Sequence, residues 1–149
     1  MKRAFLAVLL LAAANNAALA DGAEIFDKSC AFCHQAGGVG VPGQFPRLAG
    51  RLGAIASTPE GKAFLPKVLL NGMSGSIVAD NEPVLGIMPA FDSMSDEDMA
   101  AVLTYLSAID HAPVTFTARE IADARAQSRM SPTDVAAEHA ALSAKKIVP

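Results

Sequence analysis

Apolar residues recur along this chain at helical spacing in short stretches, separated by runs rich in glycine and proline. In "GAEIFDKSCAFCH", Gly22, Ile25, Phe26, Cys30 and Cys33 fall three to four residues apart and share a face, which predicts a short helix. Gln35 to Leu52 reads as loop with no extended regular element. "STPEGKAFLPKVLLNG" predicts a helix capped by Ser57 or Thr58, with Pro59 at its first position and a stop at Asn71-Gly72. Pro66 inside that stretch predicts a kink or two short helices. "MSGSIVADNEPVLGIMPAF" reads as loop with short extended pieces at most. The clearest helix follows. Ser95 is its N-cap, Asp96, Glu97 and Asp98 fill the first turn, and Met94 and Met99 stand at staple positions. Met99, Val102, Leu103, Leu106 and Ile109 mark its apolar stripe. After Pro113 come two helical stretches split at Ser131-Pro132, with Ser131 as a cap. No convincing β-rich segment is visible, so the expected class is all-α.

The first twenty residues have a different texture. Lys2 and Arg3 precede the apolar run "AFLAVLLLAAA", and the stretch ends Ala18-Leu19-Ala20. A basic start, a short apolar core and a small-x-small ending predict an export signal over residues 1–20, cleaved after Ala20. The run falls short of the roughly 20 residues a membrane span needs. Removing 20 of 149 residues leaves 129, the size of one domain. The full chain carries a net charge of −3, and losing Lys2 and Arg3 with the signal takes it to −5. A mildly acidic chain without a Lys/Arg cluster is a poor candidate for nucleic acid. No later run approaches the length of a membrane span.

The chain has 2 cysteines, Cys30 and Cys33, with His34 directly behind the second. That spacing serves a dithiol redox pair, half of a metal site, or covalent haem attachment. A thioredoxin-like dithiol expects a preceding strand in a βαβ pattern, and the sequence before Cys30 is helical. A zinc site needs four ligands, and the remaining histidines, His111 and His139, are single and distant; both read as surface residues. A C-x-x-C disulfide closes too small a loop to stabilise much. The body has no tryptophan, 1 tyrosine and long loops, so a large apolar cofactor would supply the missing core. Haem explains most: each thiol can bond one vinyl group, and His34 follows as an axial ligand.

With those residues in view, the segment from Asp21 to about His111 resembles a class I cytochrome c. "CAFCH" is the haem-attachment motif, and Gly22 and Phe26 match positions where the family's first and last helices cross. "FPRL" matches the proline-x-leucine loop, and "GIMPAF" the distal methionine-proline segment. "SDEDMAAVLTYLSAI" matches the final helix, with Tyr105 at an aromatic position. The resemblance implies the class I cytochrome c fold, short helices and long loops wrapped round one covalent haem c. It implies thioether bonds from Cys30 and Cys33, axial ligands His34 and Met88, and the Pro46 carbonyl accepting a hydrogen bond from His34 Nδ1. Met73, in the turn after Asn71-Gly72, is the rival to Met88. The expected domains are a signal over 1–20, a haem domain over 21–112 and a helical C-terminal extension over 113–149.

The resemblance implies a periplasmic one-electron carrier rather than an enzyme in its own right. Its expected partners are redox proteins, with a dehydrogenase as donor and an oxidase or another cytochrome as acceptor. The tail resembles extensions on small cytochromes that accompany periplasmic dehydrogenases; it is expected to dock on a partner or on the haem domain's back. Its deletion over 114–149 is then expected to weaken partner turnover while leaving the visible spectrum intact. Two other classes stay open: a haem enzyme or gas sensor with an open distal site, and a thiol-disulfide oxidoreductase. Asp92, Asp96, Glu97 and Asp98 cluster at the last haem-domain helix, as a dipole-compensating end or as a steering patch for a basic partner.

Overall fold

The computed structural model describes residues 19, 21–111 and 113–149; the expected signal and its cleavage point at Ala20 lie outside them. Helix α1 spans 21–29, and after the turn at Cys30 the chain resumes as α2, Ala31–His34. A 3-10 turn follows over Ala36–Gly38, then α3 (Arg51–Ala56) and α4 (Pro59–Asn71). Strands β1 (Met73–Ala79) and β2 (Glu82–Met88) form a hairpin. Helices α5 (Asp96–Ala108), α6 (Ala118–Arg125) and α7 (Pro132–Ala144) complete the order.

The α1/α5 crossing organises the core. A Cβ at Gly22 would sit 2.6 Å from Tyr105 Cβ and closer still to the Ala101 carbonyl, so only glycine admits this approach. One turn on, the Phe26 ring lies 5.9 Å from the Tyr105 ring at 46°. Phe26 and Met99 are fully buried there, with Val102, Leu103 and Leu106 beside them.

Helix α4 is one element with Pro66 inside it, not two helices. Thr58 caps it by accepting from the Gly61 N–H at 3.0 Å. Phe64, Leu65, Leu69 and Leu70 are buried on either side of Pro66. Their packing offsets the one backbone bond that proline forgoes.

The expectation of an all-α chain needs correction, since residues 73–88 form a two-stranded antiparallel sheet. Asp80 and Asn81 make its turn with φ of 54° and 64°. Positive φ at both central residues is the turn whose twist suits a hairpin. Pattern reading missed the strands because glycines at 75 and 86 take inward positions that an apolar side chain would ordinarily mark. The six-residue α3, starting from left-handed Gly50, was also not expected.

The tail is built into the molecule. Residues 113–117 run extended along α5, where Phe116 N–H donates to Thr104 Oγ1 and Val114 N–H to Ser107 Oγ, each at 2.9 Å. Helix α6 packs on α5 and α4, and α7 lies beside β1 and α4. Ile121, Val135 and Val148 join the same buried cluster as Phe26 and Leu103. Of the two docking places expected for the tail, a partner or the haem domain, the structure shows it packed on the haem domain.

His139, expected at the surface, is only 3% exposed. It packs against the Phe64 ring at 6.2 Å, and its Nε2 accepts from Arg51 at 3.2 Å. Arg51, itself buried, also donates to the Pro149 carbonyl at 2.8 and 3.0 Å. Arg51 thus ties α3 to α7 and the segment beyond it. His111 is exposed.

Candidate haem site

The site is an apolar cleft of about 320 Å³ between the α2 region and the hairpin. Cys30, Cys33, His34, Phe45 and Pro46 line it from one part of the chain; Met73, Gly75, Ile77, Val84, Gly86 and Met88 line it from the other. The hairpin residues are the alternate positions of each strand, paired Met73↔Met88, Gly75↔Gly86 and Ile77↔Val84. Period-2 alternation puts all six side-chain positions on one face. Its central pair is glycine, and a Cβ at either would meet nothing within 4 Å. That leaves a flat floor able to accept a planar ring.

Helix α2 sets out the attachment residues. Cys33 and His34 both donate their N–H to the Cys30 carbonyl, at 3.2 and 2.9 Å, so the three sit within one tight turn. The loop beyond is pinned by Gly40 N–H to the His34 carbonyl (2.8 Å), the Val41–Phe45 bridge, and Leu48 N–H to the Gly38 carbonyl (2.8 Å). This folding brings the Pro46 carbonyl to 2.9 Å from His34 Nδ1. Nδ1 carries the proton as donor, which leaves Nε2 as the imidazole's free lone pair. His34 is 7% exposed, and burial lowers its pKa despite the opposing pull of the Pro46 bond. It is therefore held neutral, the form that binds metal.

Burial, with a smaller effect from Cys33, pushes the Cys30 thiol up to about 11. A dithiol oxidoreductase needs the opposite, a thiol shifted below its ordinary value so that thiolate forms.

Met88 is the last residue of β2, not a loop residue as expected, and is half-buried. Met94, Met99 and Met130 are not among the cleft residues, and Met99 is fully buried in the core. The segment after Met88 is strapped by the tail, which sequence reasoning missed. Arg125 Nη1 donates to the Asp92 carbonyl (2.6 Å), its Nη2 to the Met94 carbonyl (2.8 Å), and its Nε to Asp96 (2.9 Å). Arg129 pairs with the Asp92 carboxylate at 2.7 Å. Two of the four clustered acids are thus engaged within the molecule, while Glu97 and Asp98 are exposed. The only sequence signal for this strap was a pair of tail arginines four residues apart.

The residues fit haem c: two thiols one helical turn apart, a neutral imidazole with one nitrogen free, and a flat apolar face set with methionine. Together with the helix crossing, they define a protein of the class I cytochrome c type. Residues 19–110 match the cytochrome c family model. Cytochrome c-552 of Thermus thermophilus is 39% identical over 151 aligned positions, covering 97% of this chain and 100% of that one. The cytochrome c subunit of alcohol dehydrogenase (quinone) from Gluconacetobacter polyoxogenes is 32% identical over 117 positions, covering 76% of this chain but 24% of that subunit. Its counterpart from Gluconobacter oxydans (strain 621H) is 33% identical over 103 positions, 67% of this chain and 21% of that subunit. The chain belongs to the cytochrome c family. It carries a haem c through Cys30 and Cys33 and works in electron transfer.

Proposed function

We propose that the protein is an exported, periplasmic one-electron carrier whose iron is bound by His34 and Met88. The observation that carries this reading is that one apolar cleft is lined by His34, fixed on Pro46, and by Met88, on the inward face of the hairpin. Haem c supplies the one-electron couple. The chain's residues do the rest: Cys30 and Cys33 retain the group, and the Pro46 carbonyl orients the imidazole and raises its basicity. Met88 adds a thioether, which raises the potential relative to a second imidazole. Phe45, Ile77 and Val84 keep water from the ring.

Two protein ligands leave no vacant position for oxygen or peroxide, which separates a carrier from a haem enzyme or gas sensor. No helix of the described residues is long and apolar enough to cross a membrane. Export rests on the basic and apolar first twenty residues. The dehydrogenase subunits among its relatives support a dehydrogenase as electron donor, with an oxidase or second cytochrome as acceptor. On this reading the haem domain is 21–112, and residues 113–149 form an extension that braces it.

The test is carbon monoxide added to the ferrous protein, beside a near-infrared spectrum of the ferric form. The proposal expects slow, incomplete binding at neutral pH and the weak charge-transfer band of sulfur on ferric iron. Rapid, stoichiometric binding without that band would establish an open distal site and overturn it.

A further inference from the structure

We propose that Met73 is a second thioether site for the iron, able to take the distal position when Met88 is lost. The inference rests on the reading that Met88 is the distal ligand, and it concerns a residue that reading leaves without a role.

The geometry is that of a cross-strand pair. Met73 opens β1 and Met88 closes β2, and the two are direct partners in the ladder. Directly opposed residues of an antiparallel pair point to the same face, with Cβ atoms about 4.5–5.5 Å apart. Both methionines line the haem cleft and both are half-buried against the core. Their backbones are also in contact at the foot of the hairpin. A Cβ at Gly72 would lie 2.6 Å from the Met88 carbonyl and 2.9 Å from Ala90 N. The Phe91 N–H donates to the Leu69 carbonyl at 2.7 Å, fixing the exit of one methionine to the entrance of the other. The two sulfurs are therefore presented from one anchored point, and exchanging them does not require the hairpin to move as a whole.

The side chain suits the exchange. Methionine is unbranched with three rotatable bonds, so its sulfur can sweep a distance comparable to that Cβ separation. The neighbouring inward pair is Gly75 and Gly86, which puts no side chain in the way of that sweep. Beyond Cys30, Cys33, His34 and the two methionines, the cleft residues offer the iron no further sulfur or imidazole.

The experiment compares three holoproteins with the wild type: Met73→Leu, Met88→Leu and the double variant. Leucine keeps the volume and the fold, which far-ultraviolet circular dichroism checks. The near-infrared band and the rate of carbon monoxide binding are read on each. Met88→Leu is expected to keep a shifted sulfur band and to bind carbon monoxide at least about 10-fold more slowly than the double variant. The double variant loses the band. Met73→Leu resembles the wild type. Identical spectra and identical carbon monoxide rates for Met88→Leu and the double variant, with a normal wild-type band, would overturn the role of Met73 while leaving Met88 as ligand. A wild type that itself lacks the band overturns both.

Discussion

Removing the Arg125 guanidinium should loosen the segment that carries Met88 without unmaking the fold. Arg125 holds three acceptors on residues 92–96, two of them backbone carbonyls. A hydrogen bond to a charged group contributes about 1.5–3 kcal/mol when desolvated, and an exposed ion pair about 0–1 kcal/mol. The Arg125 side chain is 35% exposed, so the three bonds together are discounted to about 1.5–2 kcal/mol. With Met88 as the proposed distal ligand, an external ligand such as imidazole would bind the ferric iron only when that segment has opened, so its apparent affinity would scale with the open fraction. At about 1.4 kcal/mol per tenfold, Arg125→Ala should tighten imidazole binding about 10- to 30-fold. Arg125→Lys keeps the charge but not the fork and should fall between. Arg119, paired with Asp123 in full solvent view, serves as the control, and Arg119→Ala should change nothing. Spectrophotometric imidazole titration reads all four proteins. An Arg125→Ala affinity within about twofold of wild type would refute the strap, because its bonds would then not oppose opening.

Gly22→Ala should destabilise the protein by about 1–3 kcal/mol in a denaturant titration, since the new methyl meets the Ala101 carbonyl and Tyr105; an unchanged midpoint would mean the helices part freely. Ile121→Ala removes a fully buried tail side chain and should cost about 2–5 kcal/mol while lowering the unfolding temperature of the haem domain and tail together. Separate transitions would show that the extension is not part of the core. His139 is pushed down to about 4 by burial and, secondarily, by the Arg51 charge. Its folded value lies below its ordinary value of about 6.5, so the unfolded chain takes the proton first. Its contribution is complete above about pH 6.5 and declines as pH falls towards about 4. Denaturant midpoints across that window should therefore slope less in His139→Gln than in wild type, and equal slopes would contradict the assignment.

Much of the architecture was legible because it rests on local, strong signals. The cap at Ser95 and the stripe from Met99 to Leu106 gave α5, and Ser131-Pro132 gave the start of α7. The sequence resemblance also pointed to Gly22 and Phe26 against the last haem-domain helix, and those residues do meet Ala101 and Tyr105. What escaped was encoded between distant residues. The hairpin's inward face places glycine where a strand pattern needs a side chain, and its turn, Asp80-Asn81, is not among the commonest hairpin pairs. The burial of His139 depends on Arg51, 88 residues away, and the strap made by Arg125 on acceptors about 30 residues back. A histidine in an alanine-rich helix carries no local sign of which way it faces.

The most direct measurement on the account as a whole is the proton–carbon spectrum of the ferrous protein labelled at its methionine methyl groups. A methyl held over the ring by a sulfur–iron bond is displaced far upfield by the ring current. The account predicts one such resonance, unchanged in Met73→Leu and absent or moved in Met88→Leu. No displaced methyl, or one that vanishes with Met73→Leu and survives Met88→Leu, would contradict it.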